Sequence, residues 1–178
     1  MFGTKHLFVP KTQNLIPSMQ LFNEHSNALE ILSNSQQEIL DLFKNFKTST
    51  FLKIKKNLIP KIYNALTVYA RIEHEIFYPT LRRALRQKGL LPELQLSFDP
   101  LLELISQIDF KNPHLALHEQ NIVDMEKYFT FYVEAQKNEI FIKANKLEID
   151  LATLGKRIER RKMELVLLQT LEVNCPYP

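Results

Sequence analysis

"YARIEHEIFYPTL" (Tyr69–Leu81) decides the fold, because its pattern returns as "YVEAQKNEIFIKA" (Tyr132–Ala144). Each stretch sets a tyrosine four residues before a polar residue, Glu73 in the first and Gln136 in the second, with an Ile-Phe pair shortly after. Four residues make about one turn of α-helix, so phenol and polar group share a face. That face otherwise reads as core. Ile62, Leu66, Tyr69, Glu73 and Ile76 form one inward stripe; His118, Ile122, Met125, Phe129, Tyr132, Gln136 and Glu139 or Ile140 form another. A carboxylate on such a stripe must meet a charge, a metal or several hydrogen-bond donors, or else take up a proton.

The flanking sequence supplies further helices. Leu21, His25, Ala28, Leu32, Ile39 and Phe43 predict a first helix from near Pro17 or Ser18 to about Phe46. After "KTST" (47–50) a second helix should run from Phe51 to Lys88 and stop at Gly89, with Pro60 as a start and Pro79 as a kink. Residues 89–98 read as a connector. Asp99-Pro100 then gives an N-cap and first turn for a short third helix ending near Asp109, and Asn112-Pro113 repeats the signal for a fourth. From Leu147 a stripe of Leu151, Leu154, Ile158, Leu165 and Leu168 predicts an amphipathic extension to about Val173, interrupted weakly at Gly155. The expected architecture is all-α: an antiparallel four-helix bundle over residues 12–146, with residues 147–173 as a C-terminal helical extension of the same domain.

Composition agrees. Among 178 residues, 45% hydrophobic and 24% charged, only three are glycine, which leaves little material for hairpins or phosphate-cradling loops. One cysteine, Cys175, excludes an intrachain disulfide and any CxxC motif. "MFGTKHLFVP" lacks the pattern of a secretory signal and no apolar run reaches about 18 residues, so a soluble cytoplasmic protein is expected. A net charge of +3, with the basic run Lys156, Arg157, Arg160, Arg161 and Lys162 interleaved by Glu159 and Glu164, reads as a solvated helix face. No nucleic-acid or membrane partner is expected from it. The extension is a candidate surface for a homodimer or a protein partner.

With "LFNEHSNALEIL" in the first helix and "ARIEHEIFYPTLRRAL" in the second, the chain resembles the hemerythrin-like, or HHE cation-binding, family: four-helix bundles that hold a non-haem di-iron centre. The resemblance spans about residues 15–172. Residue by residue it implies His25 at the first-helix ligand histidine and Glu73 at the carboxylate that bridges the irons. It also puts Tyr69 and Tyr132 where the family carries histidines, and Gln136 in place of a second bridging carboxylate. Phe98 or Asp99 stands where a Glu-His pair is usual, and Ile142 replaces a proline after Phe141. The resemblance therefore implies a degenerate metal site made of His25, Tyr69, Glu73, Tyr132 and Gln136.

Two chemistries suit that set. In one, iron, mono- or dinuclear, is held by His, Glu and tyrosine phenolates. In the other no cofactor is present. Glu73 then accepts from Tyr69, Tyr132 and protonated His25, while the Gln136 amide both donates and accepts. The second is the expectation, with a non-enzymatic binding, sensing or scaffold role; the alternative is a divergent iron protein handling iron, dioxygen, peroxide or nitric oxide. His114 and His118 form an HxxxH pair, but Tyr132 lies fourteen residues on, roughly 21 Å along a continuous helix, so a helix-end role is expected of that pair. His74 should face solvent, about 100° from Glu73. No nucleophile elbow or glycine-rich nucleotide loop points to metal-free catalysis.

Overall fold

A computed structural model describes residues 27–90, 98–107 and 115–173, with the side chains of 115–118 and 172–173 left aside. All regular structure among them is helical. Helix α1 (Ala28–Thr48) starts at Asn27, whose side chain accepts from the Leu29 and Glu30 amides while Glu30 reaches back to the Asn27 amide, a reciprocal cap that the sequence analysis did not single out. His25 and the first turns expected before it lie outside the described residues.

Helix α2 (Leu52–Ile72) passes directly through Pro60 rather than starting there. The ring removes one helical hydrogen bond, yet buried Leu58 and Ile59 before it and Ile62 and Leu66 after it hold both sides on one core face. A π-helical segment, Glu73–Phe77, joins α2 to α3 (Tyr78–Gln87), and Pro79 sits in the first turn of α3. The run ends as expected at Gly89, whose φ of 69° is the left-handed stop that glycine adopts without strain.

Helix α4 (Asp99–Ser106) is capped by Phe98, not Asp99, which falls inside its first turn. Helix α5 (Leu115–Ala135) leads through a second π-helical segment, Gln136–Phe141, into the short α6 (Ile142–Lys146). The expected start at Asn112-Pro113 lies outside the described residues. The chain then breaks, and α7 (Leu151–Val173) begins where Asp150 accepts from the amide and hydroxyl of Thr153. Helix α7 packs on α1 and α2 through Leu154, Ile158 and Leu165, so its inner stripe is part of the same core. Leu168, expected on that stripe, is exposed, as are Met163, Leu167 and Leu171. No helix among the described residues is long and apolar enough to cross a membrane.

Candidate functional site

Beneath the polar residues lies an aromatic floor. Phe129 stands edge-on to Tyr69 with ring centroids 5.7 Å apart, and Phe98 stands edge-on to Tyr132 at 5.0 Å. Phe43 adds a further ring 6.2 Å from Phe129. Phe98, just before α4, thus sets a hydrocarbon ring against both Tyr69 and Tyr132.

The two π-helical segments aim the polar side chains. Five residues separate Glu73 from Tyr78, and in a uniform α-helix that spacing would leave them about 140° apart. Here the Tyr78 amide bonds the Glu73 carbonyl five residues back, widening the turn. The Tyr78 hydroxyl is consequently brought to the same buried group as Glu73, 2.9 Å from the Tyr132 hydroxyl and 3.2 Å from Gln136 Nε2.

Each proton in this group can be assigned. Gln136 Nε2 donates to Glu73 Oε1 and to Tyr78. Gln136 Oε1 accepts from Tyr69 at 2.7 Å and from Gln36 Nε2 at 2.5 Å. Gln36 Nε2 also donates to the Tyr69 hydroxyl at 2.8 Å. Tyr132 gives its one proton to Glu73 Oε2 at 2.6 Å, so its contact with Tyr78 must run from Tyr78 to Tyr132. Both Glu73 oxygens then have donors, and all four hydrogen-bonding positions of Gln136 are used. The Gln36 carbonyl Oε1 is left without a partner among the described residues.

Of the five residues named from sequence, Tyr69, Glu73, Tyr132 and Gln136 converge; His25 lies outside the described residues. One bond differs from expectation: the Tyr69 proton goes to Gln136, not to Glu73. Sequence reasoning missed two members, Gln36 and Tyr78. Gln36 carried a signal, since it lies four residues after Leu32 and seven before Phe43 on the α1 stripe, interrupting it as Glu73 interrupts α2. His74 is exposed, as expected.

Burial dominates the electrostatics. It lifts the Glu73 carboxyl from 4.5 to about 7, against the hydrogen bonds from Tyr132 and Gln136, which favour the charged form. Burial and then the Glu73 charge push Tyr69, Tyr78 and Tyr132 above the usual phenol range, so all three stay protonated. A protonated Glu73 would reverse the chain of donors, giving its proton to Tyr132 while Tyr132 donates to Tyr78. Tyr78 is the member nearest the surface, 8% exposed against 0–2% for the others.

Among the described residues no three His, Cys, Asp or Glu side chains gather. Glu73, the one carboxylate of the group among the described residues, has both oxygens engaged in hydrogen bonds. Comparison with known protein families, curated proteins and solved structures finds no match to this chain.

Proposed function

We propose that this chain is a hemerythrin-like, antiparallel helical-bundle protein whose cation site has degenerated into a neutralised hydrogen-bond network. On this reading it serves as a non-enzymatic binding, sensing or scaffold module. One observation carries the proposal: each Glu73 oxygen already accepts a hydrogen bond, from Tyr132 and from Gln136, and all four hydrogen-bonding positions of Gln136 are taken. Glutamine in place of a second carboxylate removes the repulsion that a metal would otherwise have to neutralise.

The alternative, an iron protein, is favoured by the convergence of Tyr69, Glu73 and Tyr132 and by the unpartnered Gln36 carbonyl. Elemental analysis and a visible spectrum decide between them, taken on untagged protein expressed with added iron and purified without chelator. The expected result is a colourless, helical protein with no stoichiometric metal. About one or two irons per chain with a phenolate-to-iron charge-transfer band would overturn the network proposal and make the tyrosines ligands.

A further inference from the structure

From Leu42 to Ile72 the chain contains no acidic residue, yet it carries Lys44, Lys47, Lys53, Lys55, Lys56, Lys61 and Arg71. Set against a net charge of only +3, this concentrates positive charge where α1 turns into α2. Two of these lysines are used within the fold. Lys47 pairs with Glu126 at 2.9 Å, and Lys55 pairs with Glu119 at 2.7 Å while its ammonium lies 5.2 Å from the Phe46 ring centroid. Lys44, Lys53 and Lys56 are exposed, and none has a carboxylate partner among the described residues.

The same corner exposes large apolar side chains. Phe51 is 69% exposed, Leu52 52% and Ile54 46%, all at or beside the first turn of α2. The core does not need them: α2 seats itself through Leu58, Ile59, Ile62 and Leu66, which are buried. An exposed aromatic ring and two exposed aliphatic side chains at the start of α2, with exposed lysines before, between and after them in the chain, combine an apolar wedge with a diffuse positive field. We propose that the α1–α2 corner docks on the surface of an anionic lipid bilayer, with Phe51, Leu52 and Ile54 entering the interface and Lys44, Lys53 and Lys56 meeting headgroup charge.

The side-chain chemistry favours a bilayer over other acidic partners. These cations are lysines, compact point charges on flexible stems, without the planar fork that reads phosphates or carboxylates individually. Their hydrocarbon stems lie along an apolar surface while the ammonium stays in water. A nucleic acid would leave Phe51, Leu52 and Ile54 in solvent, whereas an interface of headgroups over acyl chains uses both halves of the corner. This departs from the sequence-based expectation of no membrane partner and concerns adsorption, not spanning.

Vesicle sedimentation with the full chain tests the proposal, comparing phosphatidylcholine alone with phosphatidylcholine containing about 30% phosphatidylserine. Binding to the anionic vesicles should exceed binding to the neutral ones by about tenfold or more and fall steeply between about 0.1 and 0.5 M salt. Lys53→Gln with Lys56→Gln should weaken it about tenfold to thirtyfold. Phe51→Ser with Leu52→Ser should weaken it about tenfold even at low salt, where charge screening is least. All four positions are exposed, so unchanged circular dichroism and melting temperature are expected of both variants. Met163→Ser with Leu167→Ser, on the exposed face of α7, should bind as the parent does. The proposal is overturned by no binding to anionic vesicles, by equal binding to both lipids, or by an α7 variant that loses as much as the corner variants. Tighter binding to duplex DNA or polyglutamate than to vesicles at the same salt would assign the corner to a soluble polyanion and overturn it equally.

Discussion

Glu73→Gln should abolish most of the pH dependence of stability between about pH 4.5 and 7. Burial, the leading cause, raises this carboxyl from 4.5 to about 7 in the folded chain. Through that window the folded state therefore binds more protons than the unfolded one. The stabilisation is fully present below the unfolded value and is lost as pH rises through the folded value. A shift of this size corresponds to about 3 kcal/mol, or roughly 6–12 °C in melting temperature for a domain of this length. Glutamine is the nearest match to the protonated acid, with one donor hydrogen more: its carbonyl accepts from Gln136 Nε2, its amide donates to the Tyr132 oxygen, and Tyr132 turns its proton to Tyr78. Urea unfolding followed by circular dichroism at several pH values from 5 to 8.5 would read the difference. Near pH 5 the two proteins should differ by no more than about 1 kcal/mol, and at pH 8.5 the variant should be the more stable by about 3 kcal/mol. Parallel profiles would refute the reasoning, since they would mean that Glu73 titrates alike in both states.

The proton assignment also separates the two amides. Gln36→Leu should cost no more than about 1 kcal/mol, because Gln136 Oε1 keeps Tyr69 as donor and the unpartnered Gln36 carbonyl disappears with its side chain. Gln136→Leu strips partners from Glu73, Tyr69, Gln36 and Tyr78 together and should cost more than about 3 kcal/mol in the same assay; equal losses would contradict the assignment. Arg161 ties α7 to the first π-helical segment through Glu75, at 2.7 Å in a partly exposed pair, so Arg161→Ala should cost little stability. Its clearer signature is the Glu75 carboxyl, now held below the usual range chiefly by the Arg161 hydrogen bond. In the variant that carboxyl should rise toward the ordinary value in a carbon-13 titration, and the small stabilisation it supplies above the usual carboxylate range should vanish.

Much of the fold was legible because its helices obey the 3.6-residue period. The stripes through Ile62, Leu66 and Tyr69 and through Ile122, Met125, Phe129 and Tyr132 are buried as read, and Gly89 ends its helix for the expected backbone reason. Pro60 misled because local propensity pointed to a boundary while burial on both sides of the ring decided otherwise. Tyr78 was illegible for a different reason. Uniform helical geometry turns it away from Glu73, and only the wider turn brings it back; no periodicity assumed in advance contains that turn.

That turn also accounts for a mismatch within the repeated motif. Tyr69 and Glu73 stand 63 positions before Tyr132 and Gln136, but Ile76 and Phe77 stand 64 before Ile140 and Phe141. The odd residue falls inside the π-helical segments, which are five and six residues long. Both copies nevertheless deliver their phenylalanine to the same place: Phe77 and Phe141 meet edge to face, centroids 6.0 Å apart. At the start of each segment the pairs Tyr69–Glu73 and Tyr132–Gln136 enter the polar centre, and at its end stands the aromatic pair. A segment that can take up one extra residue without moving either end lets the polar and apolar halves of each motif keep their own partners. The network survives the insertion because hydrogen bonds fix the upstream register and ring packing fixes the downstream one.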